Sequence, residues 1–113
     1  MSASPRLVLT ALFAAGCTTT AEDSAVDTCA DAPLTWESWG AGFFTSYCRT
    51  CHSAASPERY GAPPALDYDT LAQVRAGAEA IRRRTVVDQT MPVGGGVPEA
   101  ELARLDRFLE CGL

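Results

Sequence analysis

The chain has 113 residues, enough for a single small domain. Its formal charge is −5 at pH 7, all nine of its basic residues are Arg, and it contains no Lys. That balance argues against nucleic acid as a partner, because phosphate binding needs a basic face. A core this small usually needs a staple, whether a disulfide, a metal or a cofactor.

Residues 1–16 read as an export signal rather than as structure. Arg6 supplies the positive start, and the apolar run Leu7–Ala15 is too short to span a bilayer as a helix. Ala14, Ala15 and Gly16 lead into Cys17. Small residues ending in cysteine resemble the bacterial lipobox, whose cysteine becomes the lipidated first residue of the mature protein. Here Ala14 stands where the favoured Leu would be, and an ordinary cleaved signal is the alternative. The lipobox reading implies export to the periplasmic side of the bacterial envelope and attachment to the membrane through Cys17. Residues 17–33 are rich in Thr, Ala, Asp and Ser and read as a tether to a domain spanning 34–113.

Within that domain, Trp36, Trp39, Phe43, Phe44 and Tyr47 recur at helical spacing, with Thr35 and Glu37–Ser38 at the start. Gly40 and Gly42 lower helix propensity there and imply a packing reason. A second helix is expected from about Asp69 to Ala76, capped by Asp67 or Asp69, with Leu71 and Val74 inward. Gly77 separates it from a third, which runs from Ala78 through Ile81 to about Val87. In the last helix Pro98 suits the first position and Glu99 and Glu101 suit the first turn. Leu102, Leu105, Phe108 and Leu109 form its apolar stripe, and Gly112 marks its stop. One intervening loop, 53–66, holds Pro57, Gly61, Pro63 and Pro64; the other, 88–97, holds Met91, Pro92 and Gly94 to Gly96. No segment reads as a strand, so the expected fold is an all-α bundle of about four helices.

The chemistry is concentrated in Cys48-Arg49-Thr50-Cys51-His52. Two thiols at this spacing can each add to a vinyl group on one edge of a haem, with the adjacent histidine reaching the iron. A thioredoxin-like redox pair needs a βαβ context that the sequence lacks. A zinc site drawing on His52 and other cysteines lacks paired ligand spacing. A plain disulfide between Cys48 and Cys51 leaves His52 unexplained. The two cysteines left over, Cys29 and Cys111, most simply form a disulfide in an oxidising compartment, the alternative being free or intermolecular thiols.

His52 is the only histidine, which excludes a bis-histidine haem within one subunit. Apart from the initiator, Met91 is the only methionine. A thioether suits haem iron, and a Pro- and Gly-rich loop is a better place for a ligand than for a packing side chain, the core-filling alternative. Arg59, Tyr60 and the run Arg82 to Arg84 are candidates to meet haem propionates, against the simpler reading of a solvated face.

From about residue 35 to the end, the chain resembles a class I monohaem cytochrome c. Gly40 and Phe44 stand eight and four places before Cys48, where the family's first helix crosses its last, and Phe108 matches the aromatic of that last helix. Pro64-Ala65-Leu66 resembles the segment whose proline carbonyl accepts the imidazole N–H and whose leucine packs on the haem, with Pro63 competing for the carbonyl role. Met91-Pro92 resembles the axial-ligand loop. The resemblance implies a bundle around one covalent haem c, with thioethers at Cys48 and Cys51 and axial ligands His52 and Met91. Pro63, Pro64, Leu66 and Phe44 would support the haem. It also implies a single-electron carrier rather than an enzyme, with redox proteins as donor and acceptor. The alternative is a haem-based sensor or ligand-binding module in which Met91 is displaced or never binds. The absence of Lys departs from the lysine-rich rim of many relatives.

Overall fold

Thr35 opens the first helix with a reciprocal capping box. Its hydroxyl accepts the Ser38 N–H at 3.0 Å, and Ser38 Oγ accepts the Thr35 N–H at 2.9 Å. The computed structural model describes Gly16, Cys29, Ala30 and residues 34–113. The expected signal, the lipidation site Cys17 and most of the expected tether therefore lie outside the described residues. A π-helical turn, Trp36–Gly40, runs into α1 (Ala41–Tyr47). A short 3₁₀ turn, Pro64–Leu66, precedes α2 (Leu71–Ile81), which continues as a π-helical stretch, Arg82–Val87. The last helix is α3 (Glu99–Cys111). The described residues contain no strand, so this part of the chain is all-α, and none of its helices is long and apolar enough to cross a membrane.

Two expectations for the middle of the chain are corrected. Thr70, not Asp67 or Asp69, caps α2: its hydroxyl accepts the Gln73 N–H at 3.2 Å, and Gln73 Oε1 accepts the Thr70 N–H at 3.0 Å. Gly77 does not divide two helices but lies inside α2, giving three α-helices rather than about four. A helical glycine costs roughly 1 kcal/mol against Ala, too little to break a helix that buries Val74 and Ile81. The small residue is needed where a Cβ would approach the Tyr68 ring to 2.9 Å.

The core is an aromatic chain between the first and last helices. Phe44, Phe108, Leu105 and Val74 are fully buried. The Phe108 ring meets Trp39 at 5.6 Å and Phe44 at 6.3 Å, and Phe44 meets Tyr68 at 6.0 Å. The expected stripe of α3 is buried at Leu105, Phe108 and Leu109, with Leu102 half-buried at its edge. Gly40 permits the close approach, since a Cβ there would stand 2.8 Å from Phe108 Cζ. Gly42 has no such reason, because an added Cβ meets nothing within 4 Å. The ends of the domain meet as well: Cys29 and Cys111 form a disulfide with Cα atoms 5.2 Å apart. Closing a span of 82 residues restricts the unfolded chain by roughly 4 kcal/mol in the chain-entropy model.

Gly40→Ala is expected to destabilise the chain by about 1–3 kcal/mol through overpacking against Phe108. Gly42→Ala should stabilise it by up to about 1 kcal/mol. Urea unfolding of the disulfide-intact chain checks the pair, and equal effects at the two positions would contradict this packing.

Candidate cofactor site

Where α1 ends, the backbone keeps turning. The N–H groups of Cys48 and Arg49 both donate to the Phe44 carbonyl, at 2.9 and 2.8 Å. Those of Cys51 and His52 donate to the Cys48 carbonyl, at 3.2 and 2.9 Å. This tight turn places the half-buried thiols of Cys48 and Cys51 and the His52 ring on the wall of one cavity of about 620 Å³. Leu66, Met91 and Pro92 line it too. A second cavity of about 400 Å³ shares Cys48, His52, Leu66 and Met91 and reaches inward to Tyr68, Ile81 and Thr85. Each falls within the range of small-molecule and cofactor sites.

His52 Nδ1 lies 2.7 Å from the Leu66 carbonyl oxygen. That oxygen can only accept, so Nδ1 carries a proton; in the neutral imidazole the lone pair then falls on Nε2, the tautomer a metal needs. Leu66 thus supplies the acceptor expected of Pro64 or Pro63, a correction with a local cause. The 3₁₀ turn uses the Pro63 carbonyl to accept the Leu66 N–H at 2.9 Å, and the bond to the imidazole is made at the end of that turn, two residues past Pro64. Leu66 itself stays on the cavity wall, as does Pro63. Phe44, expected to pack on a cofactor, lines neither cavity; it sits beneath them, in the aromatic core.

Two further residues frame the imidazole. The Tyr68 N–H donates to the His52 carbonyl at 2.9 Å, and the two rings lie 5.1 Å apart. Asp69 Oδ2 accepts the Ala54 N–H at 2.9 Å, while Asp69 Oδ1 accepts from Arg49 Nε at 2.8 Å. Neither role was visible in the sequence, although Asp-Tyr-Asp over 67–69 has the alternation of an extended segment. Arg59 lines the larger cavity but is committed to protein partners: it pairs with Asp67 and donates to the Ser53 and Ala62 carbonyls. Of the Arg run, Arg82 pairs with Asp106 on α3 at 2.8 Å and Arg83 meets Asp88 at 3.9 Å. Arg84 lines the smaller cavity.

Met91 reaches the cavity from the loop after the π-helical stretch. The Arg84 carbonyl organises this loop by accepting from the Thr90 N–H at 2.8 Å, the Met91 N–H at 3.1 Å and the Thr90 hydroxyl at 3.3 Å. The Met91-Pro92 bond is cis. Gly94, Gly95 and Gly96 all have φ between 73° and 92°, which only glycine adopts without strain. Their conformation explains them, rather than close approach: a Cβ at any of the three would meet nothing within 4 Å.

Cys48 lacks the lowered thiol that a redox pair or a zinc site uses. Burial pushes the Cys48 thiol up from 9.0 to about 12, whereas reactive and metal-binding cysteines are lowered toward thiolate. Cys29 and Cys111 are joined to each other and offer nothing to a metal. Among the described residues no three His, Cys, Asp or Glu side chains converge on one point. A haem fits the donor set: two thiols, an imidazole and a thioether line the larger cavity, and all but the Cys51 thiol line the smaller one as well.

The Asp69 carboxyl is held down to about 2, by the Ser53 hydroxyl first and then by the Ala54 amide and Arg49. A depressed carboxylate stabilises the fold above its unfolded value, 3.8, and loses that contribution as the pH falls through about 2. Wild type and Asp69→Asn should therefore differ most in urea midpoint near neutral pH and converge toward about pH 2. A difference that persists unchanged into acid would contradict the charge-based role.

No protein-family model matches this chain, and no curated protein or solved structure matches it.

Proposed function

We propose that this protein is a small exported c-type cytochrome that carries single electrons at the bacterial cell envelope. The observation that supports it most is the His52 Nδ1 bond to the Leu66 carbonyl, with Cys48, Cys51 and Met91 on the same cavity walls. In this reading the two cavities are one haem crevice, and the bundle belongs with the class I monohaem cytochromes c. When bound, haem c supplies a one-electron ferric/ferrous couple at its iron.

The protein's own residues would divide the work. Cys48 and Cys51 hold the group covalently as thioethers, so it is retained without a large core. His52 offers Nε2 as the proximal ligand, and Leu66 keeps the proton on the other nitrogen and makes the imidazole a better donor. Met91 offers its thioether from the opposite loop, which raises the potential relative to harder ligands. Tyr68, Ile81 and Thr85 wall the inner lobe. With His52 and Met91 both committed to the group, a substrate would have no place to bind it, so no catalytic residue is assigned. The partners are donor and acceptor redox proteins. Cavity-lining Tyr60, Met91 and Val93 are 74%, 40% and 86% exposed. Lipidation at Cys17 would keep the carrier at the membrane surface on the periplasmic side.

One observation favours the second reading, a sensor or ligand-binding module. Met91 is exposed, and the Thr90 and Met91 N–H groups both rest on the Arg84 carbonyl. The two readings separate in optical spectra of the mature chain expressed in a periplasm with haem-maturation machinery. The carrier predicts a haem that stays with the denatured chain and, in the native ferric protein, the weak far-red band of methionine ligation. Met91→Ala should keep the covalent haem, lose that band and bind carbon monoxide when reduced. Wild type that lacks the band and binds carbon monoxide at neutral pH would favour the sensor. Haem that washes out on denaturation would overturn both.

A further inference from the structure

Four consecutive residues, 66–69, each hold the Cys48–His52 turn. The Leu66 carbonyl accepts the His52 Nδ1 proton, and the Tyr68 N–H donates to the His52 carbonyl. Asp67 pairs with Arg59, which donates to the Ser53 carbonyl. Asp69 is the last of the four and lines neither cavity. It grips the turn on both sides of His52: Arg49 before it at 2.8 Å and Ala54 after it at 2.9 Å. Arg49 also donates to Thr45 Oγ1 at 3.2 Å, which ties the grip to α1.

We propose that Asp69 is a positioning residue for the axial histidine, a role that rests on His52 being the iron ligand. A turn held only by its own hydrogen bonds could rock about the end of α1. Two bonds to one carboxylate, on either side of His52, fix its height against the 66–69 stretch. Leu66 then meets Nδ1, and the plane of the imidazole is set. The carboxylate suits the task because both oxygens accept, one from a guanidinium and one from a backbone amide. An Asn in its place turns one of those acceptors into a donor facing a donor. The unusual element is Arg49, which stands inside the Cys48-x-x-Cys51 spacing and so couples the haem-binding turn to a residue outside the cavity.

The test uses the haem-loaded full chain, comparing wild type with Asp69→Asn, Arg49→Lys and a stability control, Leu105→Val, in the core. Proton NMR of the ferric protein gives the pattern of haem-methyl shifts, which follows the orientation of the axial ligand planes. Reduction potential and amide exchange at Ala54 and Tyr68 are read on the same samples. Asp69→Asn is expected to change the methyl pattern and the potential, and to speed Ala54 exchange by roughly tenfold through loss of a charge-assisted bond. Arg49→Lys should move the pattern in the same direction by less, and it provides the reading if Asp69→Asn does not accumulate. Leu105→Val should lower stability while leaving the pattern in place. The proposal is overturned if Asp69→Asn keeps the wild-type pattern and potential, or if Leu105→Val reproduces its changes. Wild type without covalent haem would instead overturn the cytochrome reading on which the proposal rests.

Discussion

The Leu66 carbonyl accepts the Nδ1 proton of His52 at 2.7 Å, and much of the site's chemistry depends on that bond. Without it the imidazole would be free to rotate and to exchange tautomers; with it, Nδ1 is fixed as the donor and Nε2 is the nitrogen left over. The bond exists because the 3₁₀ turn Pro64–Leu66 and the extended residues after it lie against the turn that follows α1. The core in turn supports this arrangement. Tyr68 stacks toward His52 on one side, meets Phe44 on another and rests on the bare backbone of Gly77. Gly40, Gly77 and Phe108 are therefore indirectly part of the site, since each sets how closely a helix approaches the aromatic chain beneath it.

The electrostatics follow a similar logic. Among the described residues, Arg49, Arg59, Arg82, Arg83 and Arg104 are ion-paired with Asp or Glu. Two of these pairs, Arg49–Asp69 and Arg59–Asp67, brace the Cys48–His52 turn and Ser53 beside it, and Arg82–Asp106 ties the start of the π-helical stretch to α3. Basic side chains that composition alone would offer to a cofactor or a partner are in large part occupied within the fold. Tyr60, Met91 and Val93 leave a largely uncharged surface at the larger cavity.

Much of this was legible in the sequence, and the parts that were not share a cause. Side-chain periodicity marked the first and last helices, and the Cys48–His52 spacing marked the ligand turn. Gly40 could be paired with Phe108 through the family resemblance. The 66–69 stretch escaped because it works through backbone groups and two carboxylates, which leave no period in the sequence. Asp67 and Asp69 looked like helix caps, and only the geometry shows that Thr70 takes that role and frees Asp69 for Arg49 and Ala54. Gly77 read as a helix boundary because propensity cannot see the Tyr68 ring against it. Of the two prolines expected to hold the imidazole, Pro63 has its carbonyl taken by the 3₁₀ turn, and the bond falls to Leu66 rather than to Pro64, which residue type does not reveal.

The central claim is that Cys48 and Cys51 bind one haem covalently, with His52 on its iron. Intact-mass spectrometry of the chain matured in a periplasm with haem-maturation machinery, run under denaturing conditions, tests it most directly. The account predicts a mass increase of one haem that survives denaturation, maps to the peptide containing Cys48 and Cys51, and disappears when both cysteines are replaced by Ala. A polypeptide mass without haem, or a haem adduct that persists in the double replacement, would contradict it.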